Sequence, residues 1–95
     1  MLKASGDMIL REVAGENILI PVGAMALKVH GMVNLSESGA LLWQCLQQPC
    51  SGEDLVECIV GEYDVDRDTA RQDVQEFLQK LEELGALERS EGDSL

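Results

Sequence analysis

Ninety-five residues carrying eighteen acids, seven bases, one histidine and only three aromatic side chains rule out several kinds of protein at once. A chain this short supports one modest core, so a single domain over 1–95 is expected, with 1–7 and 89–95 as loose termini. No apolar run approaches the ~18 residues of a membrane span. The opening residues Lys3, Ser5, Gly6 and Asp7 lack the apolar centre of a signal peptide, which leaves a cytoplasmic protein without a membrane partner as the expectation.

The net charge of −11 is unevenly placed. Residues 1–50 hold three bases against four acids, whereas residues 51–95 hold four bases against fourteen acids. An acidic surface of that kind repels phosphate backbones, so nucleic acid is excluded as a partner. Cys45, Cys50 and Cys58 are odd in number and form no Cys-x-x-Cys pair. With His30 the sole histidine, they read as free thiols rather than zinc ligands, and no metal or cofactor is expected.

In chain order, Met8–Val13 and Asn17–Val22 are short apolar runs joined by Ala14-Gly15-Glu16. A glycine in so short a link signals a hairpin. Pro21, without an N–H, belongs at a strand end or on an edge. A third extended run spans about Leu27 to Leu35, interrupted by Gly31. Ser36 then caps a helix over about 37–47, with Glu37 at the positive end of its dipole. Ala40, Trp43 and Leu46 share one face suited to a core.

Pro49 stops that helix, and Ser51-Gly-Glu-Asp54 has the spacing of a capping box. The second helix presents Leu55, Val56, Ile59, Val60 and Tyr63, and the acidic turn Asp64-Val65-Asp66 ends it. Asp66 caps a longer third helix in which Ala70, Val74, Phe77, Leu78, Leu81 and Leu84 keep apolar spacing. Gly85 is placed as its C-terminal glycine. The order is three strands followed by three helices: an α+β, winged helix-turn-helix-like fold with a three-stranded antiparallel sheet and a three-helix bundle.

A winged helix often reads DNA through its third helix. Here Arg67, Arg71 and Lys80 are outnumbered by Asp68, Asp73, Glu76, Glu82 and Glu83, the opposite of what a duplex attracts. Catalytic signatures are equally poor, with no phosphate-binding glycine loop and no nucleophile–histidine–acid set. The chain is therefore expected not to be an enzyme.

Three stretches carry a resemblance. Gly31-Met-Val-Asn-Leu-Ser-Glu-Ser-Gly-Ala-Leu-Leu-Trp43 is similar to the G-x-x-x-L-N-E-T-G-A-x-x-W stretch of the PqqD family. Glu62-Tyr-Asp-Val-Asp66 with Leu55 resembles that family's L…EYDVD, and Asp73-Val-Gln-Glu-Phe-Leu-Gln-Lys-Leu81 with Gly85 and Leu87 its DVxxFLxxL…G-x-L. Leu10 to Gly15 and Ile20 to Gly23 fit the opening hairpin, so the likeness covers about residues 8–88. Ser36 stands where the family usually has Asn, and both cap helices well. The Trp43-bearing form resembles stand-alone members rather than the pyrroloquinoline quinone pathway protein itself.

The resemblance implies a recognition element for ribosomally made, post-translationally modified peptides. Such a module binds the leader of a precursor peptide and presents it to a modifying enzyme, often a radical S-adenosylmethionine enzyme. A leader would add as a strand along the open edge of the third strand, the backbone supplying affinity. On that reading Val29, His30, Met32, Val33 and Asn34 line the strand. Arg71, Val74, Gln75 and Leu78 line the helix, with Arg71 suited to an acidic leader residue. A winged-helix regulator or a structural protein-docking domain is the alternative, and a monomer and a strand-exchanged dimer are both open.

Overall fold

The computed structural model describes residues 1–28 and 31–89. Val29 and His30, both placed by sequence on the third strand, lie outside the described residues. The strands are β1 (Leu2–Ala4), β2 (Met8–Val13), β3 (Glu16–Pro21), β4 (Val33–Leu35) and β5 (Leu87–Arg89). The helices are α1 (Glu37–Cys45), α2 (Gly52–Glu62) and α3 (Arg67–Leu84).

β2, β3 and β4 form the expected antiparallel sheet in that order. Ala14 and Gly15 both have positive φ, 53° and 81°, so the hairpin closes in a two-residue turn whose twist matches the strands. Pro21 sits at the end of β3, opposite Met8. One face of the sheet turns Met8, Leu19 and Leu35 into the core. The other carries Ile9, Arg11 and Val13 to solvent, the period-2 alternation of a half-buried sheet.

Two expectations change. The third strand does not run from Leu27. Gly23–Leu27 is instead a turn of 3-10 helix that buries Met25, and among the described residues of that run Val33–Leu35 pair with β3. Gly23 at φ 57° turns the chain out of the hairpin, and Met25 then anchors the segment by burial. The loose leader is likewise structured. Leu2, Lys3 and Ala4 pair antiparallel with Arg89, Glu88 and Leu87, and the amide of Leu2 donates to the carbonyl of Cys50 at 2.6 Å. Leu2 and Ala4 are 2% and 4% exposed, so apolar burial holds down a segment too short to show periodicity.

Helix ends follow local chemistry. Ser36 Oγ accepts from the Gly39 amide at 3.1 Å, Ser51 and Asp54 close a reciprocal capping box, and Asp66 accepts from the Thr69 amide at 3.0 Å. α1 ends at Cys45, two residues before the expected Gln47. At the end of α3, Gly85 adopts φ 74°. Its amide donates to Glu82 and that of Ala86 to Leu81, the paired bonds of a Schellman motif. That turn sends Leu87–Arg89 back to β1. Leu42, Trp43, Leu46, Leu55, Ile59, Ala70 and Leu81 meet between sheet and helices in a continuous core.

Candidate functional site

β4 is bonded only to β3 among the described residues, leaving its other edge open. At the end of β4 the chain enters α1, and the junction faces α3 across a groove of about 250 Å³. Leu35, Ser36, Ser38, Gly39 and Leu42 form one wall, and Asp73, Glu76, Phe77 and Lys80 the other. The four α3 residues recur at helical spacing, which puts them on one side of the helix.

Two features shape the groove. Phe77 is 7% exposed and forms an apolar base. Gly39 lets the first turn of α1 come close to it: a Cβ at this position would lie 3.4 Å from Phe77 Cε1 and 3.4 Å from Ser36 Oγ. Asp73, Glu76 and Lys80 are exposed, and none pairs with another described residue. The groove therefore offers an apolar seat rimmed by unmatched charge.

The sequence-derived site is divided by the structure. Met32 is 64% exposed just before β4, Val33 is half-buried and Asn34 is exposed, all three beside the open edge. Arg71, Val74, Gln75 and Leu78 come together, but against the start of α2. There they line a pocket of about 190 Å³ with Gly52, Glu53 and Val56. At ~100° per residue this stripe lies about 160° around α3 from the groove. Val74 is buried, and Arg71 Nη2 donates to Glu53 Oε1 at 2.9 Å, so its charge is already matched.

Asp73, Glu76, Phe77 and Lys80 were not singled out by sequence reasoning. Phe77 reads there as core, which it is, and the three charges read as a solvated face. Their spacing was visible, but which side of α3 met β4 depended on how the helices pack.

The cysteines form a second cluster, between α1 and α2. Burial, followed by a hydrogen bond with Cys58, pushes the Cys45 thiol up to about 12. Burial also raises Cys50, with Asp54 adding to the effect. All three are free thiols, and among the described residues no group of three or more His, Cys, Asp or Glu is placed to hold a metal ion.

A three-stranded antiparallel sheet leading into three helices, with an edge strand set against the third helix, defines a small α+β class of winged-helix-like outline. The chain belongs to the PqqD family: the family model, described as coenzyme PQQ synthesis protein D, matches residues 23–87. Among solved structures it is similar to TbiB1 in complex with the TbiA(beta) leader peptide. The two share 26% identity over 93% of this chain and 96% of that one, with a TM-score of 0.73. A lasso peptide synthetase B1 complexed with its leader peptide shares the fold at 19% identity and a TM-score of 0.72, covering 93% and 98% of the two chains. A search of curated proteins finds no match. No helix among the described residues is long and apolar enough to cross a membrane.

Proposed function

We propose that this protein is a non-catalytic adaptor that captures the leader of a ribosomally made precursor peptide and presents it to a modifying enzyme. The observation that carries the reading is the open β4 edge set beside the groove against α3. An extended peptide can continue the β2-β3-β4 sheet there, its main chain bonding to β4 and alternate side chains entering the groove. Family membership and the leader-bound neighbours support this assignment. The strand contribution is Met32, Val33 and Asn34, with Val29 and His30 adjoining in sequence. The helix contribution is the Asp73–Lys80 face, in place of Arg71, Val74, Gln75 and Leu78.

The chemistry of modification then belongs to the partner, of which a radical S-adenosylmethionine enzyme is one class. The adaptor lowers the cost of finding the substrate by raising its local concentration. A titration of ¹⁵N-labelled protein with the leader encoded by the adjoining short precursor gene tests the reading. Amide shifts along residues 32–39 and 73–80 are expected. Shifts confined to the Arg71–Leu78 pocket would move the site to α2 and α3, and absence of shifts would reject the adaptor.

A further inference from the structure

Resting on the adaptor reading, we propose that the groove selects peptides by a two-signed charge pattern: a basic residue and an acidic residue, in fixed order, on either side of an apolar anchor. The anchor sits on Phe77, beside Leu35 and Gly39. Asp73 lies at one end of the α3 wall and Lys80 at the other, with Glu76 between them one residue from Phe77. At ~1.5 Å per helical residue, Asp73 and Lys80 are about 10 Å apart along the axis and Glu76 and Lys80 about 6 Å. A strand advances ~3.3 Å per residue, so those spans correspond to about two and three peptide positions. Only alternate residues share a strand face, so a basic, an apolar and an acidic residue at i, i+2 and i+4, spanning ~13 Å, is the spacing that turns all three towards the groove.

Of the three basic residues of α3, Lys80 is the one left for this role among the described residues, because both arginines are engaged. Arg71 and Arg67 are engaged by Glu53 and Glu57, and Arg89 by Glu82. Asp73, Glu76 and Lys80 have no such partners among the described residues. The acidic-leader preference expected from Arg71 is thereby replaced: the first demand of the groove is a cation opposite Asp73 and Glu76. A uniformly basic peptide is opposed by Lys80, and a uniformly acidic one by the two carboxylates. Because the signs differ at the two ends, the pattern also fixes the direction in which the peptide lies.

The test is selection from a displayed library of random 12-residue peptides on the full chain, followed by affinity measurements on the enriched sequences. Enriched peptides should share a basic and an acidic residue about four positions apart, with an apolar residue midway between them. Exchanging the two charges should weaken binding about tenfold, the combined effect of two or three exposed ion pairs. In 1 M salt, where the screening length is ~3 Å, that ratio should fall towards one. The isosteric triple variant D73N/E76Q/K80Q, at solvent-exposed positions, should keep its amide spectrum and lose the order preference while still binding. Enriched peptides that shift β4 and α3 amides but show no charge order would overturn this inference and leave the adaptor standing. A library that yields no binder would overturn both.

Discussion

At the scale of single residues, local chemistry explains the helix ends, whereas the charged pairs needed the fold. Ser36, Ser51 and Asp66 each take the capping role their sequence positions dictate, because a cap bonds to an amide three residues away. Arg71 bonds to Glu53, eighteen residues away, and sequence distance carries no trace of that. The thiols give a prediction here. Cys45, raised from 9.0 to about 12, stays protonated in the folded chain at pH values that ionise it when unfolded. Its contribution to stability is therefore fully present below pH ~9 and is lost as pH rises towards ~12. Urea midpoints measured from pH 7 to 11 should be level and then decline, more shallowly in Cys45→Ala. Parallel declines in the two proteins would show that Cys45 titrates alike in both states.

At the scale of elements, β4 is the decisive one. Among the described residues it is Val33–Leu35, shorter than the run read from sequence: Leu27 belongs to the 3-10 turn that buries Met25, and Gly31 at φ 92° departs from extended backbone. A short edge strand is a protected edge, since few unpaired groups invite chance association. On the proposed reading, a docked leader draws affinity from the groove as well as from the ladder. Strand addition has a period-2 signature: successive peptide amides point alternately towards β4 and away. Methylating peptide nitrogens one at a time should weaken binding at alternate positions, by about fivefold or more where ~1 kcal/mol of hydrogen bond is lost. Equal tolerance at every position, measured by fluorescence anisotropy, would exclude an added strand.

At the scale of the whole molecule, the pairing of β1 with β5 closes the described fold. β1 lies between the β5 return and the α1–α2 connection, with Leu2 and Ala4 in the core. Replacing Leu2 with Ala should therefore cost about 2–5 kcal/mol in denaturant unfolding, the range for a buried leucine. A loss under ~0.5 kcal/mol would return the segment to a loose tail. The same scale explains the partner class. Acids crowd the helical half while the sheet half is nearly neutral, so the β4 edge presents a backbone ladder with little charge of its own to repel a peptide. On the proposed reading, selectivity by charge is left to Asp73, Glu76 and Lys80, which have no ion-pair partner among the described residues.

The order of β2, β3, β4 and the three helices, the helix caps, the hairpin and the helical part of the core were legible in the sequence. Each rests on contacts within a few residues or on the 2- and 3.6-residue periods that burial imposes. Ala40, Trp43, Leu46, Leu55, Ile59 and Leu81 lie where that periodicity puts them. Tertiary structure alone decided that Leu2–Ala4 would meet Leu87–Arg89 and that Arg71 would pair with Glu53. It also decided that Asp73, Glu76 and Lys80, rather than Arg71 and Leu78, would share a groove with the end of β4. These pairings join residues far apart in sequence. Their outcome depends on the rotation of α3 about its own axis, which the packing of Val74, Phe77 and Leu81 into one core sets and no local pattern encodes.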